Sequence, residues 1–424
     1  MRCLNTETYE LHSGTQESFR SEGYAILSHR WQEPEILCHQ IGRYAEELRN
    51  TPGRHPTPQL DKILGACFTA REQGIRWMWI DSCCIHKPNS SELAESINSM
   101  YKWYTEALVC FTHLADVRRD AHATEPSPRM FYDSRTGRPS VWFERGWTLQ
   151  ELLAPKHMLF YDTNWQLMGS KKRLAPQLEQ VTGISATYLT GAEDFRTACI
   201  AAKMSWMAGR QTGREEDMAY SMLGIFNISM TVQYGEGKNA FMRLQEQLLT
   251  KNDESLFAWK MPPEGPGAAF QIKPDNAMDL GPNEWGLMAP SPTWYRHCGR
   301  MTIQYGKKVM RHRGGFTRTS QGISGPISKR DHPTTAVLSG LTVVGVIPFQ
   351  IWHAVRQSTT LKYTLNCWEP SESGSMRAVR IYLRPVRKDQ RIYIRTSSQE
   401  YDLVRSVDNV NYSTVGTVWQ PELF

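Results

Sequence analysis

No two of the nine cysteines form a C-x-x-C pair, and none of the 12 histidines falls in an H-E-x-x-H motif. The commonest zinc-ligand spacings are therefore missing, and a metal site is not expected. The cysteines are odd in number and scattered, so a disulfide framework is not expected. Several sit in apolar runs, where a free thiol behaves as a small buried hydrophobe suited to a reducing compartment. There is no G-x-S-x-G cluster, so a serine hydrolase has no support. The run Gly235-Glu-Gly-Lys238 lacks the spacing of a phosphate-binding loop and reads as a turn into the next helix. The opening residues, MRCLNTETYELHSG, contain no apolar run of the roughly 7–15 residues a secretory leader needs. The most apolar later stretch, 336–352, is broken by Ser339, Gly340, Gly345, Pro348 and Gln350. It also falls short of the ~20 residues that span a bilayer. A cytoplasmic chain without a membrane anchor is the expectation.

What is present is a globular composition. Hydrophobic residues make up 40% of the chain, and 14 Trp and 17 Tyr are too many for a disordered one. At 424 residues the chain exceeds the length at which one core usually stops growing, so two domains are expected. The Pro/Gly run at 261–267, MPPEGPG, marks the boundary: a domain at 1–260, a linker at 261–269 and a second domain at 270–424. The net charge of +6 is uneven. From 261 onward there are 20 Lys+Arg against 12 Asp+Glu, a net of +8, which raises an anionic ligand or nucleic acid as a minor alternative for the second domain. The segments Arg380-Ile-Tyr-Leu-Arg384 and Arg391-Ile-Tyr-Ile-Arg395 interleave bases with aromatics, but strand alternation explains them equally well, and nucleic acid is not the expected partner.

The first part alternates apolar runs with amphipathic segments, the pattern of βαβ units about a parallel sheet. Strands are expected at 24–28, 77–81, 109–114 and 158–162. A helix is expected over 91–108, with Leu93, Ile97, Met100, Tyr101, Tyr104 and Leu108 on one stripe and an N-cap pattern of Asn89 and Glu92. A weaker stripe of Ile63, Cys67 and Ala70 ends at Gly74. A short helix is expected at 144–153, and helices at 174–181, 195–207, 215–226 and 237–251 read as a cap on the same domain. Beyond the linker, alternating runs at 341–347, 361–367, 379–383 and 392–395 indicate an antiparallel, sandwich-like β domain.

Ligands of open parallel sheets bind beyond the carboxyl ends of the strands. Here those ends are polar: Ser28-His29-Arg30-Trp31, Asp81-Ser82, Asp116 and Asp162. On spacing alone, 144–153 is a helix with Trp147, Leu149 and Leu153 buried and Glu144, Arg145 and Glu151 on its wet side.

Six blocks, in order, resemble the fungal heterokaryon-incompatibility (HET) domain: Tyr24-Ala-Ile-Leu-Ser-His-Arg-Trp31, Trp79-Ile-Asp-Ser-Cys-Cys-Ile85, Ile97-Asn-Ser-Met-Tyr-Lys-Trp-Tyr104, Arg145-Gly-Trp-Thr-Leu-Gln-Glu-Leu152, Gly209-Arg-Gln-Thr212 with Glu216-Asp-Met-Ala-Tyr-Ser-Met-Leu-Gly-Ile-Phe226, and Tyr234-Gly-Glu-Gly237. One departure is His86, where the family usually has Asp. The resemblance implies a role in allorecognition between fungal strains and the cell death that follows fusion of incompatible cells. Two blocks are also similar to TIR domains, the first strand and Trp147-Thr-Leu-Gln-Glu-Leu152, which implies a flavodoxin-like sheet and a catalytic Glu151. The reaction so implied is NAD+ hydrolysis switched on by self-association, with NAD+ as substrate and no cofactor. Trp31 and Trp147 would stack on its rings, Ser28, His29 and Arg30 would meet its phosphates, and Asp81 completes the substrate-binding set. An incompatibility partner protein is a further implied contact. A non-enzymatic signalling adaptor with the same fold is the alternative.

Overall fold

The computed structural model describes residues 1–50, 57–119, 125–265, 280–281, 283–303, 315–320, 322–326, 361–387, 392–404, 415–418 and 420. The chain falls into two compact units: Met1–Thr197 with Arg210–Tyr234, and Ala198–Gly209 with Gly235–Phe424.

The first unit is built on a seven-stranded mixed sheet of order β2-β1-β4-β3-β5-β6-β7. Its strands are β1 (Arg2–Asn5), β2 (Leu11–Ser13), β3 (Tyr24–His29), β4 (Trp77–Trp79), β5 (Val109–His113), β6 (Met158–Tyr161) and β7 (Leu167–Ser170). The central four are mutually parallel, whereas β1 on β4 and β7 on β6 are antiparallel. Every residue of β3, and every residue of β5, is buried, as expected where helices cover both faces of a parallel sheet. The four expected strands are the four parallel ones. The antiparallel strands β1, β2 and β7 carry no clear sequence signal because they are three or four residues long and partly polar.

The helices before β6 are α1 (Gln16–Glu22), α2 (Ile41–Asn50), α3 (Pro58–Glu72), α4 (Asp81–Cys84), α5 (Ser90–Glu106) and α6 (Thr148–Leu153). Asn89 caps α5, its side chain accepting the N–H groups of Ser91 and Glu92 at 3.1 Å. Helix α5 buries Ile97, Met100, Trp103 and Tyr104. Leu108 is not on that stripe: the helix stops at Glu106, and Leu108 is 51% exposed while its N–H donates to Tyr24 O. Chain reversal after α3 uses Gly74 in the left-handed region, φ +71°. Helices Ala175–Thr182, Ala186–Thr190, Asp217–Tyr220 and Leu223–Phe226 complete this unit.

Gly224 is where the last of these helices meets α5. A Cβ there would overlap Cβ and Cγ of Tyr101, atoms fixed close to the backbone of α5. Gly224→Ala should destabilise the first unit by about 1–3 kcal/mol, the usual cost of overfilling a packed contact. Urea unfolding followed by tryptophan fluorescence measures it, and an unchanged midpoint would rule out the close approach.

The second unit holds one sheet among the described residues, made of β8 (Thr317–Thr319), β9 (Gly322–Pro326), β10 (Leu361–Pro370), β11 (Met376–Arg387), β12 (Ile392–Thr396), β13 (Asp402–Val404) and β14 (Val415–Val418). Its order is β10-β11-β12-β14-β9-β8, with β13 paired to β11. The described pairings are antiparallel apart from β12 with β14. The expected strands at 361–367, 379–383 and 392–395 lie within β10, β11 and β12, and the one expected at 341–347 lies outside the described residues.

The two units divide elsewhere than at 261–269. Helices Ile200–Met207 and Asn239–Leu248, expected in a cap on the first domain, group with the second unit. There the N–H of Ile200 donates to Asp253 Oδ2 at 2.7 Å and that of Ala201 to Ser255 Oγ at 3.0 Å. Met261 itself is buried, its N–H bonded to Ser398 O at 2.7 Å. Residues 266–269 of the expected linker lie outside the described residues.

Two of the basic residues singled out in this region are engaged within the unit itself. Arg395 is fully buried with its guanidinium 3.6 Å from the centre of the Trp259 ring. It donates to Phe257 O and to Trp259 O, each at 2.7 Å. Arg384 forks onto Glu284 at 2.6 and 2.7 Å. Both arginines thus bind the unit to itself, which weakens the argument from charge for an anionic ligand.

Candidate functional site

In the first unit, β3 leads to β4 on one side of itself and the chain then returns to β5 on the other. The strand order therefore reverses at β3, and the carboxyl end of β3 is the crevice where open α/β sheets place ligands. Ser28 and His29 are its last two residues. Consecutive residues of a strand point to opposite faces, so the two side chains serve different clusters.

On one face, the Ser28 hydroxyl donates to Glu151 Oε2 at 2.5 Å and accepts from Trp142 Nε1 at 2.9 Å. Tyr104 donates to Leu27 O at 2.9 Å and also lies within hydrogen-bonding reach of Glu151. Glu151 is 6% exposed, because α6 is a short helix in which all six residues are buried. It is not on a wet face, as spacing alone suggested. Lys171 closes the carboxyl end of α6, Nζ donating to Leu152 O at 2.9 Å and Pro155 O at 2.6 Å. Arg210 anchors the start, donating to Arg145 O at 2.8 Å and Thr148 Oγ1 at 2.9 Å. Burial, and then the charge of Asp81, push the Glu151 carboxyl up to about 8, while Ser28, Tyr104 and Arg145 pull the other way.

On the opposite face, His29 stands in register with His113 of β5. Its Nε2 lies 3.6 Å from Asp81 Oδ1 and 3.9 Å from Glu35 Oε1, the oxygen that receives Lys62 Nζ. Burial, with Lys62, His113 and Lys87 nearby, holds His29 well below the usual imidazole range, and it is neutral at physiological pH. His113 is lowered to about 4, chiefly by burial, and stacks on Trp165 at 4.8 Å. Among the described residues, neither ring nitrogen of His29 has a hydrogen-bond partner.

Asp81 accepts from Trp31 Nε1 at 2.8 Å. Lys87 Nζ sits 3.3 Å from the centre of the Trp31 ring and 3.9 Å from Asp81 Oδ2. Trp147, half-buried, hydrogen-bonds Asp217, which also accepts from Tyr234 at 2.9 Å. Arg145 acts electrostatically on Glu151, Lys87 and Asp217 alike. Ser28, His29, Trp31, Asp81 and Glu151 thus gather at the strand ends, with Trp147 at the start of α6. Arg30 is exposed, its guanidinium 3.4 Å from Val141 O.

Four contributors were not singled out from the sequence as site residues: Trp142, Tyr104, Lys87 and Arg145. Tyr104 read as helix core, and its hydroxyl gave no signal of its own. Arg145 opens the motif block Arg145–Leu152 and could have been found there, and Trp142 lies three residues before it. Lys87 had no local signal. His86 uses its backbone N–H to donate to Glu92 Oε1 at 2.9 Å. Among the described residues, no group of three or more His, Cys, Asp or Glu is placed to hold a metal ion, and all nine cysteines are free thiols. No helix of the described chain is long and apolar enough to cross a membrane.

A buried carboxyl near neutrality can act in two ways. It can donate a proton, or it can ionise when a cation arrives and stabilise that cation. Residues 24–138 match the family described as heterokaryon incompatibility protein (HET). Vegetative incompatibility protein HET-E-1 of Podospora anserina is 38% identical over 239 residues, which cover 55% of this chain and 16% of that protein. No solved structure matches the chain. Glu151 lies beyond the family match and rests on its own geometry.

Proposed function

Because the chain carries a heterokaryon-incompatibility (HET) domain, we propose that it acts in fungal non-self recognition and regulated cell death, and that its first unit hydrolyses NAD+ when copies of it associate. The observation that carries the reading is Glu151, buried and hydrogen-bonded to Ser28 at the switch point of the sheet. The parallel order β4-β3-β5-β6 is the order of flavodoxin-like sheets, and α6 lies between the third and fourth of those strands in the chain, where TIR-related enzymes carry their glutamate.

The chemistry suits the group. Nicotinamide bound through its ring nitrogen is cationic, and heterolysis of the C1′–N bond sends the electron pair to that nitrogen, releasing neutral nicotinamide. Positive charge passes to the ribose as an oxocarbenium-like species. The Glu151 carboxylate stabilises it and holds the ribose hydroxyls, water adds at C1′, and one proton is released with ADP-ribose. Ser28 fixes the carboxyl rotamer.

The test is incubation of the purified chain with NAD+ at low and at high protein concentration, with products separated by chromatography. Nicotinamide and ADP-ribose should appear at a specific rate that rises with protein concentration. Absence of both at every concentration would sink the enzymatic reading and leave a signalling adaptor of the same fold.

A further inference from the structure

Ser28 and His29 are not free to hold a diphosphate beside Glu151, and Arg30 is exposed rather than enclosed with it. The Ser28 hydroxyl is committed to Glu151, His29 is buried and neutral, and Arg30 leans on a backbone carbonyl. Two other cations meet the requirement. Lys87 lies over Trp31 and only 3.9 Å from Asp81, whose Oδ2 already receives the Trp31 indole. Arg145 opens the segment that leads into α6, and its Nη1 would lie 3.6 Å from a Cβ at Gly213. Through its guanidinium it makes no hydrogen bond or ion pair among the described residues, and Asp217 nearby is engaged by Tyr234 and Trp147. Arg145 is a half-buried cation without a committed anion, which is costly to keep, and Lys87 has only the loose pair with Asp81 at 3.9 Å; a bound anion offsets the cost at both. A guanidinium meets two phosphate oxygens at once, and an ammonium meets a third as a point charge.

We infer that Lys87 and Arg145 are the diphosphate-binding pair of this site, so that its ligand is a dinucleotide whose ribosyl bond lies at Glu151 and whose two phosphates lie between these cations. The inference rests on the glycosidase reading for the position of the ribose, but its test does not require turnover. The probe is ADP-ribose, which carries both phosphates and lacks nicotinamide, titrated calorimetrically into the full chain. Lys87→Met and Arg145→Met should each weaken binding roughly 10–100-fold, the effect of losing a charged hydrogen bond. Arg145→Lys should recover part of the loss, and Lys172→Met, an exposed cation next to Lys171, should match wild type. For NAD+ the rise in KM should exceed that for nicotinamide riboside, which has the scissile bond and no diphosphate, by about tenfold. Circular dichroism checks that each variant is folded.

The pair is overturned if the folded Met variants bind ADP-ribose as wild type does, or if wild type cleaves NAD+ yet binds no ADP-ribose. Wild-type binding that depends on both residues, without any cleavage, sinks the glycosidase reading and leaves the dinucleotide site standing. Neither binding nor cleavage in wild type removes both.

Discussion

Glu151→Gln should lower NAD+ cleavage by roughly 10²–10³, equivalent to about 2.7–4 kcal/mol of lost transition-state stabilisation, with little change in fold. The size of the effect follows from what the substitution keeps. A glutamine side chain can still accept the Ser28 hydroxyl that Glu151 receives at 2.5 Å, and it fills the same buried space. What it cannot do is ionise. The loss then measures the anion alone, because packing and the hydrogen bond stay in place. Glu144→Gln, outside both the motif block and α6, should keep near-normal turnover.

The pH profile carries the sign of the mechanism. With the carboxyl pushed up to about 8 in the empty site, only the minority anionic form is productive at neutrality. kcat/KM, which reports the free enzyme, should rise about tenfold per pH unit from 6 towards 8 and flatten above it. A rate that stays flat from pH 6 to near 8 and falls above it would mean that Glu151 works as a proton donor. Toxicity on overexpression should follow the turnover of the variants. A folded Glu151→Gln chain that cleaves NAD+ normally would end the assignment.

How much of this was legible in the sequence depends on how local each signal is. The central strands were, because a strand buried on both faces must be a continuous apolar run, as Tyr24–His29 and Val109–His113 are. The antiparallel strands β1, β2 and β7 were not, since strands of three or four partly polar residues carry no such pattern. The parallel pairing of β12 with β14 has no local signature at all. Within the site, Glu151 stood out by motif, yet its helical spacing suggested a solvated position. A six-residue helix enclosed on every side has no wet face, and periodicity cannot reveal that. Lys87 and Arg145 lie 58 positions apart in the chain, and only folding brings them within electrostatic range of each other.

The last expectation turns the same carboxyl into a stability measurement. Its pKa is about 4.5 when solvated and about 8 in the folded chain. Between these values the native state holds a proton that the unfolded state has released, so native stability falls as pH rises. Over the whole window the loss is about 5 kcal/mol, at roughly 1.4 kcal/mol per unit. Below the window and above it this group contributes no slope. Glu151→Gln has no such proton, and its stability relative to wild type should therefore grow from pH 5 to pH 8 and then level off. His29 and His113 act in the opposite direction. Their pKa values are depressed from 6.5, so they are neutral in the fold, and stability is lost as pH falls below that value, for His113 until about 4. Both histidines are present in both proteins, so their slopes cancel in the difference. Urea unfolding of wild type and Glu151→Gln across this range, followed by tryptophan fluorescence, gives the difference curve directly. Parallel curves would show that Glu151 is ionised in the resting fold. Divergence that stops near pH 8 would identify it as a carboxyl held neutral by burial, the state from which a cationic substrate has to draw the anion.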